Sequence, residues 1–423
     1  MRRKPLFPPP EETRTDVVTG QPVSKRLRNK GRQSSSVLTI NGRIRLLRRW
    51  WYSPINGSLA PADQVIDGEQ RTVSPGVREM ACRLNNDSAS FDRTADNLKR
   101  TAQIAMSGEQ LRLVVLAEGQ TVLAAQDAAA IPTAFQAEKC VVDPQKPDGP
   151  TRMYLGADGV MVPLVTEAEK VKRRENAVQK RRESGRRLQP LPARRPGADR
   201  AFKEFKTLVF YDEHGTHWHE RLWRGSRRNV GLVLRREANR LGFARAGERV
   251  ANVDGASWIR QRLEERPDQL PLDGLGLDFY HLSENVHRCR RAVFGEDSAA
   301  GTLWADKLLH AFKHEGYDVV WESLITWRAT VRGTKKRTAA DRLLNYVSER
   351  RDMIQYPEFQ NKGWQIGSGP TESRCKTSTS RLKGRGRRWD ARNAECVAAL
   401  TTLKDSDQWN LYWIDATPDA KAA

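Results

Sequence analysis

Three acidic residues stand where a chain that needed only a core would not put them. Asp158 sits in the apolar alternation MYLGADGVMVPL, Asp254 closes the apolar run in VANVDG, and Glu372 follows the Gly-rich GSGPT at a helix start. Each has an ordinary explanation alone. Asp-Gly is a favoured hairpin pair, and a Glu near a helix N-terminus complements the dipole. Together, two Asp at the ends of apolar strands and one Glu on a later helix make the oxygen donor set of a hard divalent cation. Mg²⁺ takes oxygen ligands and is held by one or two carboxylates with substrate phosphates. Two such ions about 4 Å apart activate a hydroxyl or water and stabilise the leaving oxygen in phosphodiester chemistry. Crowded carboxylates repel one another without cations. The expected metal ligands are Asp158, Asp254 and Glu372, with Mg²⁺ as cofactor and Mn²⁺ as a substitute.

The surroundings of Glu372 suit a phosphate substrate. Arg374, Lys376, Arg381, Lys383, Arg385, Arg387 and Arg388 place seven positive charges in fifteen residues with no acid among them. Ser368, Ser373, Thr377, Ser378 and Thr379 can add hydrogen bonds to a nucleic-acid backbone. A second feature is the stretch LDFYHLSENVH, which opens like a strand yet sets Asp278 and His281 three residues apart. Burying an unpaired carboxylate is expensive, so the pair needs a purpose.

The elements that must position these residues can be read in outline. Residues 1–36 form a basic tail rich in Pro and Ser, whose composition predicts disorder. A short β segment follows, with turns at Asn41-Gly42 and Asn56-Gly57. Over 37–124 the texture turns helical from Ser74-Pro75, a good N-cap and first-turn pair. There, Phe91, Ala95 and Leu98 line one helix, AMSG makes a turn, and Leu111, Val114 and Val115 line the next. This is either a helix-turn-helix DNA-binding region or an ordinary helical hairpin. Residues 125–150 read as a Pro-rich linker.

The first part of a catalytic core spans 151–284. It carries a basic insert at 168–200, with 11 Lys/Arg and two acids between Lys170 and Arg195. That insert is a solvated helix and loop, or beside a DNA site a phosphate-neutralising arm. Strands are expected at KTLVFYDEHG, HWHERLW (an edge), RVANVDGASWI and LGLDFYHL. Residues 285–365 read as an α-helical insertion, and 366–423 as the last part of the core with the Glu helix and a C-terminal tail. The fold class is α/β, a mixed sheet interrupted by an all-α block.

The bulk composition bounds the partners. Of 423 residues, 73 are Lys or Arg against 52 Asp or Glu, a net charge of +21. That excess favours a polyanion, nucleic acid before an anionic membrane. No run approaches the ~18 apolar residues of a spanning helix, and the N-terminal MRRKPLFPPPEETR is not a signal peptide. A cytoplasmic, nucleoid-associated protein is the expectation. Cys82, Cys140, Cys289, Cys375 and Cys396 show no paired spacing and are expected as reduced, structural thiols.

The order ADG, VDG, D-F-Y-H 24 residues later, then GSGPTES with K-x-x-x-x-R-L-K and a Trp resembles a bacterial insertion-sequence transposase of the DDE type. The nearest pattern is the ISKra-type family, related to Mutator-like transposases. The resemblance covers roughly 37–413. It implies an RNase H-like catalytic fold whose Asp, Asp, Glu triad falls on Asp158, Asp254 and Glu372, with a helical insertion between the second Asp and the Glu. It also implies a Cys-or-Asp, two residues, His signature, matched by Asp278 and His281. His281 then either sits at the metal site, bonding a phosphate oxygen or supporting a ligand, or belongs to a polar pair locking strand to helix. One departure is plain: where such proteins often carry a Cys-x-x-Cys-Gly zinc element, this chain reads YSPING, with Ser53 and Asn56.

The expected function is therefore a DNA transposase that cleaves element ends and joins the 3′ hydroxyl to target DNA, working as a homo-oligomer on DNA. A Trp among Trp304, Trp321 and Trp327 stacks on an extruded base or is core. The alternatives are an RNase H-like nuclease without strand transfer and a non-catalytic DNA-binding regulator.

Overall fold

A computed structural model describes residues 9–15, 21–54, 57–61, 72–184, 191–225, 227–264 and 269–416. The chain divides into two compact units, 1–121 with 410–423, and 122–409. Among the described residues no helix is long and apolar enough to cross a membrane, and all five cysteines are buried free thiols.

In the first unit, strands β1 (Glu11–Thr15) and β2 (Pro22–Arg26) pair antiparallel. Strands β3 (Arg28–Thr39), β4 (Gly42–Ser53) and β5 (Gly57–Leu59) form a second antiparallel sheet. The described part of the expected disordered tail is thus mostly strand. Composition underrates it because pairing, not burial, holds it. Ser34, Ser35 and Ser36 lie opposite Leu47, Leu46 and Arg45, and Glu11 accepts bonds from Ser24 and Arg26. Gly42 takes φ +97° after the Ile40-Asn41 turn, where a residue with a Cβ would be strained. Asn56, half of the second expected turn, lies outside the described residues.

Three helices follow: α1 (Pro75–Asn86), α2 (Phe91–Ala102) and α3 (Gly108–Asp127). Ser90 caps α2 by accepting from the Arg93 N–H, and Gln103 ends it in the left-handed conformation. Leu38, Val77 and Ile104 pack β3 against these helices. The expected helices around the AMSG turn are present, and Leu98, Leu111 and Val115 are fully buried.

The second unit is built on a five-stranded sheet of order β10-β9-β6-β7-β8: β6 (Arg152–Pro163), β7 (Phe202–Tyr211), β8 (Trp218–Trp223), β9 (Glu248–Val253) and β10 (Gly274–Leu277). β6, β7 and β8 are antiparallel neighbours, while β9 and β10 run parallel to β6. Helices α4 (Glu167–Glu183), α5 (Arg227–Arg240) and α6 (Ser257–Glu264) connect them. From β10 the chain enters a helical block: α7 (Phe279–Phe294), α8 (Ala299–His314), α9 (Tyr317–Thr330), α10 (Thr334–Ser348) and α11 (Tyr356–Asn361). Helices α12 (Gly369–Ser378), α13 (Ser380–Lys383) and α14 (Ala391–Asp405) complete this unit, and from Asn410 the last helix, α15 (Trp409–Ala416), belongs to the first. One continuous apolar cluster joins the sheet to the helical block.

Several sequence expectations change here. The 125–150 segment is no free linker. Ile131, Phe135, Ala137 and Cys140 are buried, and its backbone bonds to Leu241 and Arg152. Apolar residues between its prolines give it something to bury. Neither Asp-Gly pair makes a hairpin: Asp158 lies inside the long β6–β7 ladder, and Asp254 follows the end of β9. The strand at LGLDFYHL stops at Leu277, because Asp278 accepts the Tyr280 N–H and caps α7, so the helical block starts at 279 rather than 285. Trp304 and Trp327 pack on each other and on Phe294, with ring centroids 4.5 Å apart for the Trp pair. Trp321 stacks on Tyr317. All three are half-buried, with one part of each ring engaged in packing.

Candidate functional site: a row of aspartates under a glutamate helix

Strand register assembles the site. β6 and β9 pair Tyr154 with Val250 and Leu155 with Ala251, and β9 and β10 pair Val253 with Leu277. Side chains alternate along a strand, so residues at one level of neighbouring strands share a face. Carried on past the paired residues, this register sets Asp158 beside Asp254, and Asp254 beside Asp278. The 24-residue spacing between VDG and D-F-Y-H is the offset between β9 and β10. The continued register thus brings the three aspartates to one level, Asp158 within β6 and the other two just past the ends of β9 and β10.

The segment before α12 is tied along that face. Arg152, buried in β6, donates to the carbonyls of Lys362 and Gly363 and is itself held by Glu213 and Glu248. Tyr154 accepts the Gln365 N–H, Asn252 donates to the Gln365 carbonyl, and the Phe279 N–H reaches the Ile366 carbonyl. Ser368 then donates both its N–H and its hydroxyl to Asp278. This anchoring starts α12 over the row. A Cβ on Gly156 would run into the Thr371 hydroxyl, so glycine permits the close approach of helix to strand. Farther along α12, Ser378 donates to the buried Glu220 of β8 at 2.7 Å.

Asp278 is fully buried and well satisfied. One oxygen accepts the Tyr280 N–H at 2.7 Å, and the other faces Ser368 and His281 Nδ1, the latter at 3.5 Å. These partners offset the cost of burying its charge and hold its carboxyl below the usual range despite that burial. The Asp278 carboxylate beside it pushes His281 up to about 9, with Asp254 contributing. Ligand atoms of Asp278, His281 and Glu372 all lie within 4.8 Å of one another.

The other carboxylates have spare oxygens. Among the described residues, Asp254 accepts one hydrogen bond, from the Ala256 N–H at 2.8 Å in the loop after β9. Burial raises its pKa, and the neighbouring Asp158 raises it further. Glu372 is exposed. Its pKa is raised by partial desolvation, then by Asp278, with Asp158 also contributing. Among the described residues, Glu372 comes within ligand-atom reach of His281 and Asp278, while Asp158 lies close enough to Asp254 and Glu372 to raise both their pKa values. Asp278 was missed as a member of the row itself. Its signal was the spacing, legible only once β9 and β10 are known to be parallel neighbours.

The seven cations near Glu372 separate into two groups. Lys376, Lys383 and Arg385 are exposed, with no partner among the described residues. The others differ from expectation. Arg381 is buried beside Trp389, and burial lowers its pKa to about 10. Arg387 donates to the Arg381 carbonyl, Arg388 pairs with Glu169 at 2.8 Å, and Arg374 lies over the Trp218 ring. Ser368, Ser378 and Thr379 are buried in internal bonds and unavailable to a ligand. A positive run on short helices that fold back on the sheet must spend some of its charges internally.

Compared with known proteins, the chain matches no family model and no curated protein.

Proposed function

We propose that the second unit is an RNase H-like catalytic core and that the protein is a metal-dependent DNA transposase of the DDE type. The observation carrying this reading is the strand register that, continued, brings Asp158 of β6 level with Asp254 and Asp278 just past the ends of β9 and β10, with Glu372 of α12 beside Asp278 and His281. The sheet order, antiparallel from β6 to β8 and parallel beyond, supports it. So does a helical block lying between Asp254 and Glu372 in the chain.

The donor set fits a hard divalent cation. Asp158, Asp254 and Glu372 offer carboxylate oxygens, and burial, with neighbouring carboxylates adding to it, raises the pKa of Asp254 and Glu372. Mg²⁺, or Mn²⁺ in its place, would be held by these three and would supply charge stabilisation and an activated oxygen nucleophile. Asp278 is already engaged, so it acts as the residue that orients His281. His281, kept protonated near neutral pH, offers an N–H to a phosphate oxygen. Lys376, Lys383 and Arg385 neutralise the backbone on the Glu372 side. Helices α2 and α3 are assigned to recognition of element ends, and a homo-oligomer to bringing two ends together.

The test is strand cleavage and joining on labelled DNA from the gene's flanks, with Mg²⁺ or Mn²⁺, comparing wild type with Asp254→Asn. Metal-dependent nicking and joining that vanish in the variant support the assignment. Nicking without joining makes the protein a nuclease. Tight binding without cleavage in either metal removes catalysis and leaves a DNA-binding regulator.

A further inference from the structure

The β3–β4 ribbon has a charge pattern that neither the carboxylate site nor the helices account for. Between Arg28 and Ser53 the chain carries seven Lys or Arg and no acid. The antiparallel register puts Arg45, Leu47 and Arg49 of β4 on one face with Ser36, Ser34 and Arg32 of β3 opposite them. On that face Arg32, Ser34, Arg45, Leu47 and Arg49 are all exposed, and Leu47 is 64% so. Near the turn the same face is closed by buried Leu38, and Val37 is buried on the other. The ribbon is therefore anchored at its turn and open along its middle.

An open face of arginines and serines around one exposed leucine has no stabilising role of its own. Like charges on neighbouring strands oppose pairing, and Arg32 stands directly opposite Arg49. A polyanion would reverse that penalty. We propose that this ribbon face is a docking surface for double-stranded DNA, separate from the carboxylate site. A two-stranded antiparallel ribbon fits the major groove, about 12 Å wide. Twelve-residue strands reach roughly 40 Å, enough to follow the groove for about one helical turn. Arg32, Arg45 and Arg49 meet phosphates, Ser34 and Ser36 add neutral donors, and Leu47 faces the groove floor. The partner rests on the DNA reading above, while the surface does not depend on catalysis.

The experiment measures binding of the full chain to a labelled DNA duplex of random sequence, in EDTA, over a series of salt concentrations. Wild type is compared with a triple variant, Arg32→Ser, Arg45→Ser and Arg49→Ser. A charge-keeping triple to Lys and a control on the second unit, Arg332→Ser with Lys335→Ser and Lys336→Ser, complete the set. Thermal melting confirms that each is folded. Each phosphate contact contributes about 0.9 to the salt slope on B-DNA. The serine triple should flatten the slope by roughly 2.7 and weaken binding by about ten- to a hundredfold, with the lysine triple close to wild type. A serine triple that binds as wild type, a control that loses as much, or a lysine triple as weak as the serine one overturns the ribbon. Ribbon-dependent binding to RNA or anionic vesicles but not to the duplex overturns DNA as its partner. No duplex binding by wild type would instead overturn the DNA reading itself.

Discussion

Thr371 lies directly over Gly156, its hydroxyl oxygen in the space where any larger residue would place a Cβ. That hydroxyl is buried and makes no hydrogen bond, so it acts as a spacer between α12 and β6. Gly156→Ala should push the helix off the strand, costing about 1–3 kcal/mol by overpacking and lowering cleavage by moving Glu372. Thr371→Ala should be mild alone and should restore both stability and cleavage to the Gly156→Ala chain. A double-mutant cycle in melting temperature measures this coupling, and additive effects would refute the contact.

Burial of the Asp254 carboxylate, with Asp158 beside it, predicts opposite effects of one substitution with and without metal. Asp254→Asn removes one crowded charge, so the metal-free variant should melt above wild type. Mg²⁺ should stabilise wild type by about 1.4 kcal/mol at ten times its dissociation constant and leave the variant unmoved. Calorimetric melting in EDTA and in Mg²⁺ reads both arms. Equal Mg²⁺ stabilisation of the two proteins would exclude Asp254 as a ligand.

The helical block reaches back to the site through Arg350. Its guanidinium donates twice to the Gly255 carbonyl, at 2.9 and 3.2 Å, and lies over Tyr346. Gly255, at φ +73°, is the residue after Asp254. Arg350→Met keeps bulk but removes the donors, so it should cost roughly 1.5–3 kcal/mol and reduce cleavage at unchanged DNA affinity. If DNA binding and cleavage fell together, Arg350 would be contacting DNA rather than positioning Asp254.

Glu220 predicts a pH dependence of stability. Burial pushes its carboxyl up to about 8, with Asp405 adding to the shift. Below the ordinary carboxylate pKa both folded and unfolded chains hold the proton. Between there and about 8 the folded chain keeps a proton that the unfolded chain has lost. This contribution to stability therefore falls through that window and is gone above it. Glu220→Gln should be nearly neutral at low pH and raise the melting temperature around pH 8 to 9, by an amount worth a few kcal/mol at most. A Gln variant with no pH-dependent gain would show that Glu220 is charged in the folded state.

Much of the candidate site was legible because its residues sit at boundaries the sequence marks. Asp158 and Asp254 adjoin apolar strand patterns, and Glu372 follows a Gly-Pro helix start. At the site itself, the misreadings concerned contacts rather than elements. Arg381, Ser368 and Ser378 look like ligands for phosphate in a linear string, yet their neighbours in space are Trp389, Asp278 and Glu220. The N-terminal tail looked unable to order itself because its own composition offers no core. Its partner strand lies a turn away and supplies the hydrogen bonds instead.

By itself the sequence determined the net positive charge, the alternation of strands and helices, and the identities and order of Asp158, Asp254, Asp278, His281 and Glu372. Those follow from composition and from periodicity, which act over a few residues. Only the tertiary structure decided that three aspartates share one level, that Asp278 is occupied by Ser368 and His281, and which cations remain outside. These depend on strand register and on where a helix settles across a sheet, set by packing between segments as distant as Gly156 and Thr371. No local pattern encodes that distance.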